Sequence, residues 1–198
     1  MKQLVFIHGG ETFDTYDAYL SALREWDYDP TKEFGERWKN SLQEELGEAW
    51  QVLAPSMPSK YNAKYVEWCI WFEKVLPHLR DDVVLVGHSL GGIFLAKYFS
   101  EHTLLVSIAG LWLIAAPFDT EDTDYSLADF TLPESLENVS KQAKHIVLYH
   151  STDDPVVPFP ALDKYKEKLP GATVRIFSDR GHFLQERFPE LIEDIQSL

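Results

Sequence analysis

Ser89 lies in Gly87-His88-Ser89-Leu90-Gly91, the Gly-x-Ser-x-Gly pattern of a sharp strand-to-helix turn that exposes a serine hydroxyl as a nucleophile. An apolar run at 83–86 precedes the pattern and helical spacing over 93–99 follows it, so both flanks suit the turn. A serine hydroxyl is a weak nucleophile near neutral pH and needs an adjacent base, itself oriented by an acid. With this type of turn the acid follows the serine and the histidine comes last. His182, in Arg180-Gly181-His182-Phe183, is therefore read as the base. The stretch Ser151-Thr152-Asp153-Asp154-Pro155 offers two carboxylates. Asp154 is read as the acid, because the fixed φ of Pro155 stiffens the turn that would aim it. Asp153 is read as satisfying backbone donors of that turn, although neighbouring residues on a loop could exchange roles. Acyl transfer also requires donors for a developing oxyanion. The N–H of Leu90 is the first candidate, and the second is Gly10, with Glu11 as its rival, where Gly9-Gly10 lets the backbone approach a ligand closely.

Elements that could bring such distant residues together are readable from the apolar pattern. Short runs at 4–7, 50–53, 83–86, 111–115, 146–149 and 174–177 alternate with helical patterns at 34–46, 65–79, 92–101, 162–169 and 188–198. Continuous apolar runs mark strands buried on both faces, so the expected class is α/β, with a doubly wound, mostly parallel sheet flanked by helices. Gly9-Gly10, Ser89 and Asp153-Asp154 each follow a strand, and ligands in such sheets bind outside the strands' carboxyl ends. One crevice should therefore collect them.

At 198 residues and 45% apolar, the chain suits one domain spanning 1–198. Its net charge of −14 repels phosphate backbones and anionic lipid, so neither nucleic acid nor membrane is an expected partner. Cys69 is the single cysteine, which excludes an intrachain disulfide and fits a cytoplasmic setting. Trp68-Cys69-Ile70-Trp71 reads as an apolar helical patch, with Cys69, Trp68 and Trp71 packed in the core. The residues before His8 are too few for a signal peptide's apolar region. His8 and His88 lack metal-ligand spacing, and neither a Walker A loop nor a GxGxxG occurs, so no metal and no cofactor are expected.

Two stretches break the rhythm. Residues 11–33 are long for a connection and rich in aromatics, which reads as a loop insertion over the site favouring an apolar acyl or aryl group. Residues 117–140 read as a small acidic cap, since 111–140 carries seven acids and no base. That charge suggests a preference for cationic substrates.

His8-Gly9-Gly10, the 87–92 turn, Asp153-Asp154-Pro155-Val156-Val157-Pro158 and Gly181-His182-Phe183 together resemble the α/β-hydrolase superfamily. The Ser-Thr-Asp-Asp-Pro string and Pro55-Ser56-Met57-Pro58 are similar, more narrowly, to the small serine hydrolases of the retinoblastoma-binding protein nine family. The resemblance spans nearly the whole chain and implies a compact hydrolase with a serine nucleophile, a histidine base and an acid matching Asp154. Residues 11–33 depart from it by their length. A carboxylesterase-like serine hydrolase acting on a small-molecule acyl substrate is the resulting expectation. A non-catalytic protein-binding module and an acyltransferase are its alternatives.

Overall fold

A computed structural model describes residues 1–31, 37–121, 123 and 125–198. Six strands form one parallel sheet: β1 (Lys2–Ile7), β2 (Trp50–Leu53), β3 (Val83–His88), β4 (Ile108–Ile114), β5 (Ala143–Ser151) and β6 (Thr173–Phe177). Their spatial order is β2-β1-β3-β4-β5-β6. All six expected strands are present.

Each central strand splits its side chains between two cores, which is why its sequence reads as unbroken apolar rather than alternating. Val5, Ile7, Val83, Leu85, Leu111, Leu113 and Leu148 join one core, beneath α3 (Tyr65–Glu73), α4 (Leu90–Glu101) and α6 (Pro160–Lys168). Leu4, Phe6, Val84, Val86, Trp112, Ile114, Val147 and Tyr149 join the other, beneath α2 (Trp38–Leu46) and α7 (Pro189–Gln196). The first core is rich in aromatic edges. Phe72 meets Phe94, Tyr98 and Phe99 with ring centroids 5.0 to 6.3 Å apart. Trp68 is fully buried there, but Trp71, expected beside it, is 43% exposed, because it stands one residue, about 100° round the helix, before Phe72, at the edge of the stripe that Trp68 and Phe72 bury.

The helical pattern over 65–79 is interrupted. After α3 the chain makes a short 3-10 turn at Leu76–His78, where Pro77 removes a backbone donor. Residues 34–36 of the expected 34–46 helix lie outside the described residues; its remainder is α2. Two helices went unread in the sequence. One, α5 (Glu137–Gln142), is only six residues long. The other, α1 (Tyr16–Glu25), occupies much of 11–33, where a loop was expected. Thr15 caps it, accepting the Ala18 N–H at 3.1 Å, with Asp17 in the first turn and Arg24 in the last, each at the favourable end of the helix dipole.

Strand order reverses direction around β1: the chain leaves β1 for β2 at one edge, then returns to β3 on β1's other side. That switch point opens a crevice between the carboxyl ends of β1 and β3. Among the described residues, no helix is long and apolar enough to cross a membrane. Because Phe72 is fully buried among three aromatic partners, Phe72→Ala is expected to cost about 3–5 kcal/mol in urea unfolding. A loss below about 1 kcal/mol would show that this core re-forms around the vacancy.

Candidate active site

At the switch point β3 runs into α4 through a single residue. Ser89 has φ 54° and ψ −123°, left-handed backbone that a side chain rarely adopts. Its N–H donates to the Ile114 carbonyl at 2.8 Å, and its own carbonyl accepts from Gly92 at 2.8 Å, so the strained turn is held on both sides. Gly91 is obligatory here. A Cβ at that position would fall 2.2 Å from the Ile7 carbonyl oxygen, so the turn can press against the end of β1 only with glycine.

The resulting cavity encloses about 320 Å³ and is lined by Ser89, Leu90, His182, Gly9, Gly10 and Glu11 from the strand exits. Leu127, Val156, Val157 and Leu184 supply apolar walls, Tyr125 and Pro117 further surface, and Lys39 a cationic corner. Of the residues singled out from the sequence, Ser89, His182, Leu90, Gly10 and Glu11 thus border one space. Asp154 lies behind His182 and is fully buried. Its Oδ2 is 2.9 Å and its Oδ1 3.1 Å from His182 Nδ1, while Oδ1 also accepts the N–H groups of Val156 at 2.8 Å and Val157 at 3.0 Å. The turn before Pro155 therefore fixes the carboxylate from its own backbone. With Nδ1–H donated to Asp154, Nε2 is the ring nitrogen left to accept a proton. Ser89 Oγ makes no hydrogen bond to His182 among the described residues.

Asp153 accepts a backbone donor of its own turn, as expected, and also reaches a second loop. Its Oδ1 accepts the Gly181 N–H at 3.0 Å and the Ser151 hydroxyl, whose oxygen in turn accepts the Arg180 N–H at 3.2 Å. The hydrogen bond from Ser151 and those backbone donors hold the Asp153 carboxyl below its ordinary range. Asp153 thereby ties the loop after β5 to the one after β6, the loop carrying His182.

That second loop needs tying, since Gly181 (φ 49°) and Phe183 (φ 52°) flank His182 in left-handed backbone. Two side chains from elsewhere grip its carbonyls. His88 Nε2–H donates to the His182 carbonyl at 2.9 Å, and Trp38 Nε1–H to that of Phe183 at 2.8 Å. The His88 ring is also tilted against the His182 ring, with centroids 4.9 Å apart. Burial, then repulsion from His182, keeps His88 uncharged well below its usual titration range. Neither His88 nor Trp38 was read from the sequence in this role; the position of His88 immediately before the serine was the available signal.

The two rivals of the first loop differ in what their N–H groups already bond. The Glu11 N–H is committed to the Lys60 carbonyl at 2.8 Å. Those of Gly10 and Leu90 make no hydrogen bond among the described residues and border the cavity. Gly10 packs so closely that a Cβ would lie 2.7 Å from the same Lys60 oxygen. The loop is braced from beneath by His8, which receives the Met57 N–H on Nε2 at 2.9 Å and contacts the Gly9 carbonyl through Nδ1 at 2.6 Å. Among the described residues no group of His, Cys, Asp or Glu could hold a metal ion.

The two interrupting stretches contribute differently from expectation. Phe13, Tyr16, Tyr19 and Trp26 pack on one another and on Tyr61, and none of them lines the catalytic cavity. Among the described residues of 11–33 only Glu11 and Thr12 reach it, Thr12 donating to the Ser126 carbonyl at 2.5 Å. Among the described residues of 117–140 the lining ones are Pro117, Tyr125, Ser126 and Leu127, none of them acidic. Asp119 and Glu121 pair with Lys164, each at 2.5 Å, and Asp129 accepts the Tyr65 N–H at 3.0 Å. Asp122 and Asp124 lie outside the described residues. A cationic preference drawn from this acidic run therefore finds no described acid of the run in the cavity.

Comparison with known proteins agrees with this geometry. Residues 31–192 match the family described as Serine hydrolase. Serine hydrolase RBBP9 from Rattus norvegicus is 29% identical over 151 residues, covering 75% of this chain and 78% of that protein. The putative hydrolase YdeN from Bacillus subtilis (strain 168) is 24% identical over 142 residues, covering 71% of this chain and 74% of its own. The crystal structure of the B. subtilis ydeN gene product superimposes with a TM-score of 0.77 at 20% identity, over 100% of this chain and 98% of that one. The fold is the α/β-hydrolase fold.

Burial holds the pKa values of His8, His88 and His150 below the ordinary 6.5. Each stays neutral in the fold while the unfolded chain takes up protons as pH falls through about 6.5, so the stability they contribute above that pH is lost toward acid. Urea unfolding is expected to show lower stability at pH 5.5 than at 7.5, with His88→Gln shallower than wild type by up to about 1.4 kcal/mol per pH unit. An unchanged slope would mean that His88 is protonated in the folded protein.

Proposed function

The chain belongs to the serine hydrolase family, and on that premise we propose that it hydrolyses a small carboxylic ester through Ser89, His182 and Asp154 by way of an acyl-enzyme. The observation that carries the reading is the 2.9 Å contact between His182 Nδ1 and a buried Asp154 carboxylate, beside a cavity that Ser89 enters on a strained turn.

His182 Nε2 takes the Ser89 Oγ proton as Oγ bonds to the acyl carbon, and the carbonyl electrons move onto oxygen. The N–H groups of Leu90 and Gly10, otherwise uncommitted, receive that oxyanion. Collapse of the intermediate breaks the bond to the alcohol oxygen, which leaves with the proton from His182. Water then enters, gives a proton to His182 and bonds to the acyl carbon. The acyl–Oγ bond breaks, the proton returns to Ser89, and the carboxylic acid departs. Asp154 stabilises the imidazolium and fixes its tautomer throughout. Ser89 Oγ and His182 Nε2 come within hydrogen-bond reach of each other in the productive complex. Leu127, Val156, Val157 and Leu184 favour an apolar portion on the substrate.

A fluorophosphonate probe is expected to label wild-type protein and leave Ser89→Ala unlabelled. On a 4-nitrophenyl ester, Asp154→Asn is expected to lower kcat about 10⁴-fold, since an asparagine facing Nδ1 selects the wrong imidazole tautomer. Asp153→Asn, whose carboxylate makes no contact with the imidazole, should lose far less. Equal labelling of wild type and Ser89→Ala would overturn the reading. Equal losses in the two aspartate variants would overturn the assignment of the acid.

A further inference from the structure

A second cavity, of about 410 Å³, shares Gly9, Gly10, Glu11 and Lys39 with the catalytic one and adds Lys60 and Ser56. The strand-exit loop is thus a common wall, and Lys39 belongs to both spaces. Its electrostatics run against the rest of the molecule. In a chain of net charge −14, the ammonium groups of Lys39 and Lys60 stand close enough to repel one another. Neither makes an ion pair or side-chain hydrogen bond to a described residue; Lys60 only covers the Tyr61 ring at 4.9 Å. The first turn of α2, which carries Lys39, holds no acidic side chain. By contrast, Lys97, Lys141, Lys144, Lys164 and Lys166 all pair with carboxylates. Burial, then repulsion from Arg37 and Lys60, pushes the Lys39 ammonium below its ordinary range, the signature of a cation whose counter-charge is not supplied by the fold.

We infer that these lysines receive a carboxylate carried by the acyl half of the ester, so that the substrate class is the monoester of a short dicarboxylic acid. The inference rests on the esterase reading above. Polarity along the substrate follows from the mechanism: His182 must protonate the departing alcohol, which puts that half on the His182 side. The acyl half then points away from His182, toward the Lys39 corner of the catalytic cavity, which adjoins the second cavity and Lys60 across the Gly9–Gly10 wall. Glu11, the one carboxylate bordering both cavities, interacts with His182 and forms no ion pair with either lysine, so the two cations stay available. The backbone of Lys60 is held against the loop, its carbonyl accepting the Glu11 N–H. The subsite and the oxyanion loop are therefore built on one another.

The test compares 4-nitrophenyl hemiglutarate with 4-nitrophenyl pentanoate, of similar length but uncharged, and with an acyl chain of that length ending in an ammonium group. Wild-type kcat/KM is expected to favour the hemiglutarate by tenfold or more, with a ratio that shrinks as salt rises. Lys39→Met, which keeps the aliphatic stem, should bring the hemiglutarate-to-pentanoate ratio of kcat/KM close to one, with the thermal midpoint near wild type. Lys39→Glu should invert it in favour of the ammonium ester. A wild-type protein that turns over pentanoate as well as hemiglutarate, or one whose preference survives Lys39→Met, would overturn the inference. Should no ester be hydrolysed, free glutarate titrated into Ser89→Ala decides separately: heat of binding lost in Ser89→Ala/Lys39→Met upholds the subsite although the esterase reading has failed, and no binding overturns it.

Discussion

The close crossing of two backbones, the turn at Gly91 against the end of β1, is the constraint on which the rest of this structure depends. A Cβ at Gly91 would sit 2.2 Å from the Ile7 carbonyl, so β1 and the β3–α4 turn touch main chain to main chain. That contact puts Ser89 beside Gly9 and Gly10 without any side chain intervening. It also explains why the serine must accept a φ of 54°: a relaxed turn would swing α4 away from the strand it packs on. The strain is offset by what surrounds it, namely the Ser89–Ile114 hydrogen bond and an α4 in which nine of twelve residues are buried.

The base is held by a different device. His182 rides on a loop with two left-handed residues and no regular structure, which by itself would not hold an imidazole in position. Its fixity is borrowed from three directions. Asp153 and Ser151 receive its N–H groups from the β5 side, His88 grips one carbonyl from β3, and Trp38 grips the next from α2. Burial serves this arrangement through charge: an uncharged His88 adds no second imidazolium 4.9 Å from the one the reaction would form at His182. The residue that follows β3 and the residue that ends it thus have separate tasks, one chemical and one positional.

Much of this was legible in the sequence, for reasons specific to the fold. Strands buried on both faces leave unbroken apolar runs, so all six could be read, and the order serine, aspartate, histidine follows from where those strands end. The Asp154-Pro155 pair pointed to a carboxylate that the structure places 2.9 Å from His182 Nδ1, because proline constrains its neighbour locally. What escaped depends on contacts across sequence. The α1 helix has no buried residue, so apolar periodicity could not reveal it, although its Thr15 cap could have. Counting aromatics in 11–33 suggested a lining for the site, yet those rings satisfy one another and Tyr61 instead. Nothing in the local pattern tells a cluster that faces inward from one that faces aside. The acids of the 117–140 stretch were misread for the same reason, since Lys164, on a helix some forty residues later, neutralises two of them.

Net charge and local field therefore have to be separated in this protein. A total of −14 describes the field felt at a distance, where it disfavours polyanions. Within a cavity, separations are a few ångströms and screening is weak, so the sign is set by the two or three nearest groups that lack partners. Lys164 and Arg175 are met by carboxylates, whereas Lys39 and Lys60 border the cavities beside the strand exit without an ion pair to a described residue. An acidic surface with a cationic recess discriminates twice. It slows the approach of large anions, whose charge is sensed over many ångströms, and rewards a small one whose single carboxylate fits inside. Such a filter selects by size and charge together, which neither the surface nor the recess could do alone.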